Sequence, residues 1–431
     1  MTKISGFLEW LPEQRMVELR WIDEIRRVFE SYGFCSIETP SVEEIEVLLA
    51  KGETDKEIYI INRLQADNDI SDARLGLHYD LTVPLARYVA EHFNDLVFPF
   101  KRYQIQRAWR GERPQEGRYR EFRQCDIDVI NIDHLPLQFD AEMPAIMYDI
   151  LSRLQVGDFQ IRVSNRKILE GYFRGLGVER TISAIRLVDK LDKIGEEGVL
   201  SLLQSDLALP REVALRCLAL ASISTTDLSF VKRVRTLGVA SDLLNEGLEE
   251  LAFVIDALHT LPSGTLLADL SIARGFDYYT GTVYETKLLD FPAYPSICSG
   301  GRYDNLAGAF INRKLPGVGI SLGLTRLFAK LVAEKRLRVG PKCPTQVLVI
   351  FPRAERREEA VHTANVLRER GLNVELYHAP TKLAQQLRYA SRKGIPYVWF
   401  PPFEEGGVHE VKNMASEKQE VADPAAWSPT S

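Results

Sequence analysis

The chain has 431 residues and a net charge of −6, and its hydrophobic content of 45% is ordinary for a globular protein. This length predicts two or three domains with an ample core. No apolar run approaches the roughly 20 residues that span a bilayer, and no basic region followed by an apolar run opens the sequence. We therefore expect neither a membrane partner nor a signal peptide.

Cysteine and histidine usage argues against bound metal. The five cysteines are scattered without a CxxC spacing, and the seven histidines show neither HxH nor HxxxH spacing. This pattern predicts a reducing, cytoplasmic location without structural zinc or a histidine metal site. Net charge alone argues neither for nor against nucleic acid, because local clusters decide that.

Apolar residues recur at helical spacing from Met16 onward, so residues 13–32 are predicted to form an amphipathic helix. Gly33 ends it, and a short strand over 34–39 follows before a proline. Further along, the predicted extended segments are 58–61 and 74–83, and the predicted helices are 140–154 and 166–176.

The densest charge lies between Lys101 and Arg123, where eight basic and three acidic residues give a local charge of +5. On an acidic chain this cluster predicts that a polyanion is held here, because the planar guanidinium grips phosphate with two parallel hydrogen bonds. By composition alone, a solvated Arg-rich hairpin explains the cluster equally well.

The pattern inside this segment predicts a β-hairpin. Phe100–Trp109 and Arg118–Val129 have strand patterns, and the intervening Arg113–Gly117 contains the proline and glycine typical of a turn. Side chains alternate across a strand, so one face of the second strand carries Arg120, Phe122, Gln124, Asp126 and Asp128. A solvated hairpin gives no reason for Phe122 on that face.

The character of the chain changes downstream. Residues 179–260 are rich in Leu, Ala, Ser and Glu at helical periods, which predicts an inserted helical module. Strands return at 266–272, 280–288 and 296–299, with Gly-rich turns between them. After a polar linker, alternating elements predict a small α/β domain with a largely parallel sheet. Its strands are 346–351, 373–377 and 397–400, and its helices are 357–370 and 383–393.

Three further segments combine polar residues with glycine. They are LHYDLTVP (77–84), RGFDYYTG with SGGRYD (274–281 and 299–304), and GVGISLGLTR (317–326). The first predicts Asp80 and Thr82 on one strand face, and the third is a glycine-spaced strand leading into a helix that carries Arg326. Each is weak alone, because glycine repeats are common and tyrosine pairs more often lie in cores or interfaces.

Together and in this order, these segments resemble the three motifs of class II aminoacyl-tRNA synthetases. Residues 33–40 resemble motif 1, the hairpin resembles motif 2, and 319–326 resemble motif 3. RGFDYYTGTVYE and SGGRYD are similar to the two signatures of the histidyl-tRNA synthetase family. The resemblance covers the whole chain.

The resemblance implies a mixed α/β (α+β) fold: an antiparallel-sheet class II catalytic domain with a helical insertion, then an α/β anticodon-binding domain. The expected boundaries are 1–178 with 261–332 for the catalytic domain, 179–260 for the insertion, 333–344 for a linker and 345–431 for the last domain. It also implies activation of L-histidine by ATP with Mg²⁺, transfer to tRNA(His), and a homodimer with its interface around residues 13–40.

In this family the amino acid carboxylate attacks the α-phosphate of ATP, so the site must align charges and neutralise them rather than supply a base. The resemblance implies that Arg110 holds the α-phosphate, with a second catalytic arginine, Arg274, opposite. Phe122 and Arg326 are expected to sandwich the adenine ring. The remaining residues expected near ATP or the tRNA acceptor end are Glu112, Arg118 and Arg120.

The resemblance also implies a histidine site. The residues that match those binding the ammonium and orienting the carboxylate are Asp80, Thr82 and Gln124. Asp128 matches the carboxylate that accepts from one imidazole N–H, and Tyr279, with Tyr278 beside it, matches the hydroxyl facing the other nitrogen. The alternative for Asp128 is a strand-end carboxylate in solvent. No role is carried over to Asp126, and no residue to a metal.

Four departures from the family stand near the motifs, and two of them have Asp where some branches have Glu, in DLTVP and in QCDIDV. His78 occupies a position that is often Arg, and Thr325 replaces the Glu that commonly precedes the motif 3 Arg. The Thr325 change puts in doubt any metal ligand or hydrogen bond expected from that Glu.

Two other functions compete with histidine activation. One is a non-enzymatic synthetase-like regulatory subunit of histidine biosynthesis; such paralogues typically lack the anticodon domain and lose catalytic residues, whereas this chain keeps Arg110, Arg274 and 342–431. The other is a class II synthetase for glycine, proline or threonine, against which RGFDYYTG and SGGRYD argue.

Overall fold

The computed structural model describes residues 3–50, 57–62, 74–272, 279–404 and 406–429. The chain divides into two compact units, one of Met1–Leu8 with Trp21–Glu334 and one of Glu9–Arg20 with Lys335–Ser431.

Helices and strands are numbered in chain order over the described residues. The α-helices are α1 (Pro12–Ser31), α2 (Ile45–Leu49), α3 (Thr82–Glu91), α4 (Gln138–Leu154), α5 (Arg166–Gly175), α6 (Thr181–Val188), α7 (Leu191–Leu207), α8 (Arg211–Ala221), α9 (Ser229–Thr236), α10 (Asp242–Ala257), α11 (Leu324–Ala333), α12 (Arg357–Glu369) and α13 (Leu383–Lys393). The strands are β1 (Cys35–Ser36), β2 (Val42–Glu44), β3 (Tyr59–Ile61), β4 (Leu75–Leu77), β5 (Phe100–Trp109), β6 (Glu121–Ile130), β7 (Phe159–Asn165), β8 (Ser224–Thr225), β9 (Leu266–Asp269), β10 (Tyr279–Leu288), β11 (Cys298–Tyr303), β12 (Gly317–Gly323), β13 (Val347–Val349), β14 (Val374–Leu376), β15 (Tyr397–Phe400), β16 (Glu410–Asn413) and β17 (Gln419–Val421).

The first unit is built on a large sheet, which among the described residues has nine strands in the order β1-β5-β6-β12-β11-β10-β7-β9-β8. Every neighbouring pair is antiparallel except β1 with β5 and β7 with β9. The antiparallel sheet predicted for this part of the chain is confirmed. The glycine-rich SGGRY segment lies within β11 rather than in a turn.

The amphipathic helix predicted at 13–32 is confirmed as α1. Proline at the first helical position suits it, because the ring presets φ and the missing N–H would have no intrahelical partner. Gly33 follows the last turn at φ 80°, a left-handed conformation that glycine adopts at little cost. Ile25 and Phe29 are fully buried on one face, whereas Leu19 is 45% exposed.

The predicted hairpin is also confirmed, as β5 and β6 pair over ten residues from Phe100 opposite Ile130 to Trp109 opposite Glu121. The second strand begins three residues later than predicted. Arg118 instead belongs to the turn, where it bridges Gln115.

The strand face predicted for Asp80 and Thr82 is wrong. The strand of this segment, β4, ends at Leu77, and α3 begins at Thr82. Asp80 Oδ1 accepts a hydrogen bond from the backbone N–H of Val83 at 3.1 Å. A carboxylate in this position satisfies a donor at the helix start, and this local bond competes with an extended conformation.

Residues 179–260 contain five helices, α6 to α10, and the two-residue strand β8, which pairs with β9 at the edge of the large sheet. This agrees with the helical periods of the sequence.

The C-terminal sheet has the order β14-β13-β15-β16-β17. The strands β14, β13 and β15 are parallel, as predicted, but β16 pairs antiparallel with both of its neighbours, β15 and β17. The expectation of a largely parallel sheet is therefore wrong for the last two strands. The described residues between β15 and β16 contain no helix, and only a crossover connection can make successive strands parallel.

Candidate functional site

Two adjoining pockets open on the large sheet of the first unit. We call the first the arginine pocket; its lining includes Arg110, Glu112, Phe122, Gln124 and Arg326. The second, the aspartate pocket, is lined in part by Thr82, Asp126, Asp128, Tyr279 and Tyr303. Ser299 and Ser321 line both pockets, so the two meet at these serines.

Arg110 is held at the end of the hairpin by contacts that leave its charge in the arginine pocket. Its Nε donates to the backbone oxygen of Tyr79 at 3.0 Å, and its guanidinium lies 5.0 Å from the centre of the Phe122 ring. A guanidinium over an aromatic face is attracted by the ring quadrupole. Neither contact neutralises the cation.

Arg326 enters the same pocket from the first turn of α11. It donates to the backbone oxygens of Gly117 and Ser296, the former at 2.7 Å. Burial, followed by the charge of Arg110, lowers the pKa of Arg326 from its usual value. Two neighbouring cations repel each other, and an anion bound between them lowers this repulsion. The pair therefore favours an anionic ligand.

Asp128 lies in the aspartate pocket, where Arg102 and Tyr303 contact its two carboxylate oxygens. Its Oδ2 lies 2.6 Å from Nη2 of Arg102, which is fully buried, and its Oδ1 accepts from the Tyr303 hydroxyl at 2.9 Å. Burial and the charge of Asp128 raise the pKa of Tyr303 well above its usual value, so this tyrosine is a proton donor. A carboxylate accepts at about four lone-pair positions, so it can bind several donors at once.

Gly319 makes room for this carboxylate. It lies opposite Asp128 in the β6–β12 register, and a Cβ built on it would stand 2.0 Å from Asp128 Oδ1. That distance is far shorter than a van der Waals contact, so any side chain at 319 must displace the carboxylate or the strand.

A chain of hydrogen bonds joins the two pockets. Gln124 Nε2 donates to Ser321 Oγ at 2.7 Å, and the Ser321 hydroxyl donates to Asp126 Oδ1. Asp126 is 3% exposed, and its burial raises its pKa to about 7, although Arg102 and Ser321 act in the opposite direction. Gln124 Oε1 is buried and has no hydrogen-bond partner within the described part of the chain.

Most of the residues predicted for the site lie at one of the two pockets. Those in the arginine pocket are Arg110, Glu112, Phe122, Gln124 and Arg326, and those in the aspartate pocket are Thr82, Asp128 and Tyr279. Asp80 is buried at the start of α3, and Arg120 donates to the backbone oxygen of Glu112 at 3.2 Å. Arg274 and Tyr278 lie outside the described residues.

Sequence reasoning assigned no role to four residues that shape the pockets: Arg102, Asp126, Tyr303 and Ser321. Asp126 had a signal, because it shares a strand face with Gln124 and Asp128. The other three come from β5, β11 and β12, and their positions relative to β6 depend on strand register.

Two of the departures from the family, Thr325 and His78, have structural roles. Thr325 Oγ1 accepts the backbone N–H of Arg123 at 2.8 Å, which ties the start of α11 to β6. His78 is fully buried, and its ring nitrogens face the backbone oxygens of Pro40 and Arg107. Across the described residues, no group of three His, Cys, Asp or Glu side chains is placed to hold a metal ion.

No described helix combines the length and apolar character needed to cross a bilayer.

Comparison with known proteins gives a consistent result along the whole chain. The family model for histidyl-tRNA synthetase matches residues 6–327, and that for an anticodon binding domain matches residues 346–425. A protein of Thermobifida fusca named histidine–tRNA ligase is 60% identical over 428 residues, covering 99% of this chain and 98% of that protein.

Solved structures agree with the sequence relatives. The histidyl-tRNA synthetase of a Nostoc species is 39% identical and has a TM-score of 0.87. The match covers 98% of this chain and 96% of that one. A protein of Bacillus halodurans described as an ATP phosphoribosyltransferase regulatory subunit/histidyl-tRNA synthetase is 24% identical, with a TM-score of 0.76 and coverage of 93% of this chain and 98% of that one. The second likeness shows a shared fold only.

We expect Gly319→Ala to destabilise the protein by about 1–3 kcal/mol, as overpacking of a close contact does, because the new methyl displaces Asp128. The matched control is Gly323→Ala in the same strand, where the nearest atoms lie 3.5 Å from a built Cβ. Urea denaturation of both variants measures the difference, and equal losses of stability would contradict the close approach at Gly319.

Proposed function

The chain belongs to the histidyl-tRNA synthetase family, and from that premise we propose that the arginine pocket binds ATP while the aspartate pocket binds L-histidine. The adjoining arrangement of the pockets supports this division, since the two reacting groups must meet. The two partly buried arginines of the arginine pocket, with one ring and one carboxylate, suit a nucleotide. The buried carboxylates of the aspartate pocket suit a cationic amino acid.

The chain is an aminoacyl-tRNA ligase that charges tRNA with histidine in an ATP-consuming reaction. The regulatory-subunit alternative has less support. The histidine–tRNA ligase of T. fusca is 60% identical along nearly the entire chain, whereas the protein with a regulatory description is 24% identical.

In the first step, a histidine carboxylate oxygen bonds to the α-phosphorus of ATP, and the bond from that phosphorus to the bridging oxygen of pyrophosphate breaks. The nucleophile is already an anion at neutral pH, so no general base is required. Arg110 and Arg274 both stabilise the charge that grows on the α-phosphate. Phe122 and Arg326 hold the adenine ring between them, with Glu112 near it and Arg120 towards the phosphates or the tRNA end.

Mg²⁺ fits this chain best as an ion carried by the nucleotide. The described residues offer no group of three His, Cys, Asp or Glu side chains placed to hold a metal ion. Mg²⁺ prefers to keep waters and phosphate oxygens with one or two carboxylates, and when bound it neutralises charge on the ATP phosphates.

Histidine specificity rests on Asp128 and Tyr279 in this proposal, with Tyr278 beside them. Asp128, kept in place by Arg102 and Tyr303, accepts from one imidazole N–H, and Tyr279 faces the other ring nitrogen. The ammonium and carboxylate are held by Asp80, Thr82 and Gln124. An apolar amino acid of similar size would leave the buried polar groups unpaired, which is a strong basis for rejection.

In the second step, the 3′ end of tRNA(His) receives the histidyl group, and the second unit binds the anticodon. A pocket in that unit has the chemistry for this. It is lined by cations and rings, among them Lys342, Tyr377, His378, Arg388, Tyr389 and Arg392. Bases stack on aromatic side chains, and arginines contact the phosphates between them.

The expected domain boundaries, the homodimer and the cytoplasmic location stay part of the proposal. The catalytic domain is 1–178 with 261–332, the insertion 179–260, the linker 333–344 and the anticodon-binding domain 345–431.

The dimer interface at residues 13–40 is supported by β1, which lies at the edge of the large sheet with both residues exposed. An exposed strand edge has unpaired donors and acceptors that another chain can cover.

ATP–pyrophosphate exchange with each amino acid in turn tests the activity. We expect exchange with histidine alone, because only histidine pairs with both Asp128 and Tyr279. Exchange with another amino acid would overturn the histidine specificity, and an absence of exchange with every amino acid would favour the regulatory subunit.

Arg110→Ala and Arg274→Ala should each leave the fold intact but slow histidyl-adenylate formation by about 100- to 1000-fold, as loss of one charge-stabilising donor does. The matched control is Arg107→Ala, which removes an exposed arginine of β5 that lines neither pocket. Single-turnover formation of the adenylate measures the effect. A wild-type rate in either variant would remove that arginine from the proposed mechanism.

Arg388 and Arg392 lie one turn apart on α13, both exposed and without an ion pair in the described part of the chain. We expect Arg388→Ala and Arg392→Ala each to raise the KM for tRNA(His) by about tenfold, as loss of a nucleic-acid contact does, with histidine-dependent exchange unchanged. The control is Arg357→Ala, an exposed arginine of the same unit outside the pocket. A uniform effect of all three variants would contradict a specific anticodon contact.

A further inference from the structure

The hydrogen-bond chain from Gln124 through Ser321 to Asp126 lies where the two pockets meet. Ser321 is directly opposite Asp126 in the β6–β12 register, and Gln124 is two residues before Asp126 on the same strand face. Ser321 lines both pockets, Gln124 the arginine pocket and Asp126 the aspartate pocket. None of the roles assigned above to substrate-binding residues uses Ser321 or Asp126.

Donor and acceptor chemistry sets the direction of this chain. An ionised Asp126 can only accept, so the Ser321 hydroxyl must donate to it. The Ser321 oxygen then accepts, and the group of Gln124 that faces it must be the amide NH₂. The 2.7 Å contact from Nε2 to Ser321 Oγ has this arrangement. It leaves Gln124 Oε1 as the buried atom without a partner among the described residues.

We propose that Asp126 and Ser321 are positioning residues that fix the Gln124 amide with its oxygen, rather than its NH₂ group, turned towards the bound histidine. An amide oxygen there accepts a hydrogen bond from the histidine ammonium. An amide NH₂ in the same place would put a hydrogen-bond donor against the ammonium, which is itself a donor. The inference rests on the proposed assignment of histidine to the aspartate pocket.

The surroundings of Asp126 make this orientation sensitive to protonation. Within the described part of the chain, the charged and titratable groups around the aspartate pocket are Arg102 on β5, Asp128 on β6, Asp80 before α3, Tyr279 on β10 and Tyr303 on β11. Burial, with the charges of Asp128 and Asp80, outweighs Arg102 and Ser321 and raises the pKa of Asp126 to about 7.

A protonated Asp126 reverses the direction of the chain. Its carboxyl can donate to Ser321, whose hydroxyl is then free to donate to the Gln124 oxygen, so the amide turns over and presents NH₂ to the substrate. The state that is competent to bind histidine is therefore the ionised one, which is populated above the pKa of Asp126. The apparent affinity for a ligand falls in proportion to the competent fraction.

The test is the pH dependence of KM and kcat for histidine in ATP–pyrophosphate exchange, between pH 6 and pH 8. Ser321→Ala removes the hydroxyl and so breaks the hydrogen-bond chain, and Asp126→Asn removes the carboxyl that titrates. Ser321→Thr keeps the hydroxyl. Ser299→Ala is the matched control, because it removes a hydroxyl from the same two pockets that makes no bond to Gln124 or Asp126. Titration of histidine itself is common to all the proteins and cancels in the ratio of KM values.

The pKa of Asp126 is about 7. The ratio of the wild-type KM for histidine to the KM of Ser321→Ala should therefore fall by about tenfold from pH 6 to pH 8. The same change should appear relative to Asp126→Asn, whereas Ser321→Thr and Ser299→Ala should follow the wild type. The change should appear in KM and not in kcat, which a general loss of structure would lower at every pH.

Persistence of the wild-type pH dependence in Ser321→Ala or Asp126→Asn, whichever of them folds, would overturn the positioning role. Loss of the wild-type pH dependence in Ser299→Ala would also overturn it, because a hydroxyl outside the hydrogen-bond chain would then have the same effect as Ser321. Failure of the wild type to exchange with histidine would instead reject the proposed function, so the two failures are distinguishable.

Discussion

The buried ion pair of Arg102 and Asp128 is the interaction on which both pockets depend. Arg102 is fully buried, and its guanidinium lies 2.6 Å from the carboxylate. A buried charge without a partner costs several kcal/mol, and loss of either member leaves the other uncompensated. The two residues face each other in the β5–β6 register. The hairpin can therefore pair in another register only by burying two unpaired charges.

The same ion pair limits what can surround it. The Tyr303 hydroxyl on β11 donates to Asp128, and the carboxylate occupies the space next to Gly319 on β12. The strands β5, β6, β12 and β11 are neighbours in that order in the large sheet. One carboxylate thus connects four strands, and the position of the aspartate pocket follows from the pairing of all four.

The arginine cluster of the hairpin serves two different purposes. Arg102 and Arg118 are paired with carboxylates of the chain itself, at Asp128 and Glu112. Arg110 instead lines the same pocket as Arg326, whose pKa is lowered by burial and then by the like charge of Arg110. Two neighbouring cations favour an anionic ligand, because the ligand relieves repulsion that the folded chain already contains.

Local pattern and residue identity determined much of this protein: helix α1 with its terminal glycine, the hairpin, the polar face of β6, and the motifs that indicated the family. Predictions from local pattern were wrong at Asp80 and Thr82, where a hydrogen bond from Val83 N–H to the Asp80 side chain starts a helix, and at the last two C-terminal strands.

Only the tertiary structure decided that Arg102, Tyr303 and Ser321 surround the aspartates of β6. Sequence periodicity reports which side of a strand a residue faces, because that depends on neighbours along the chain. Which residue stands opposite it depends on pairing between strands up to about two hundred residues apart, and that pairing is settled by burial and charge in the assembled sheet.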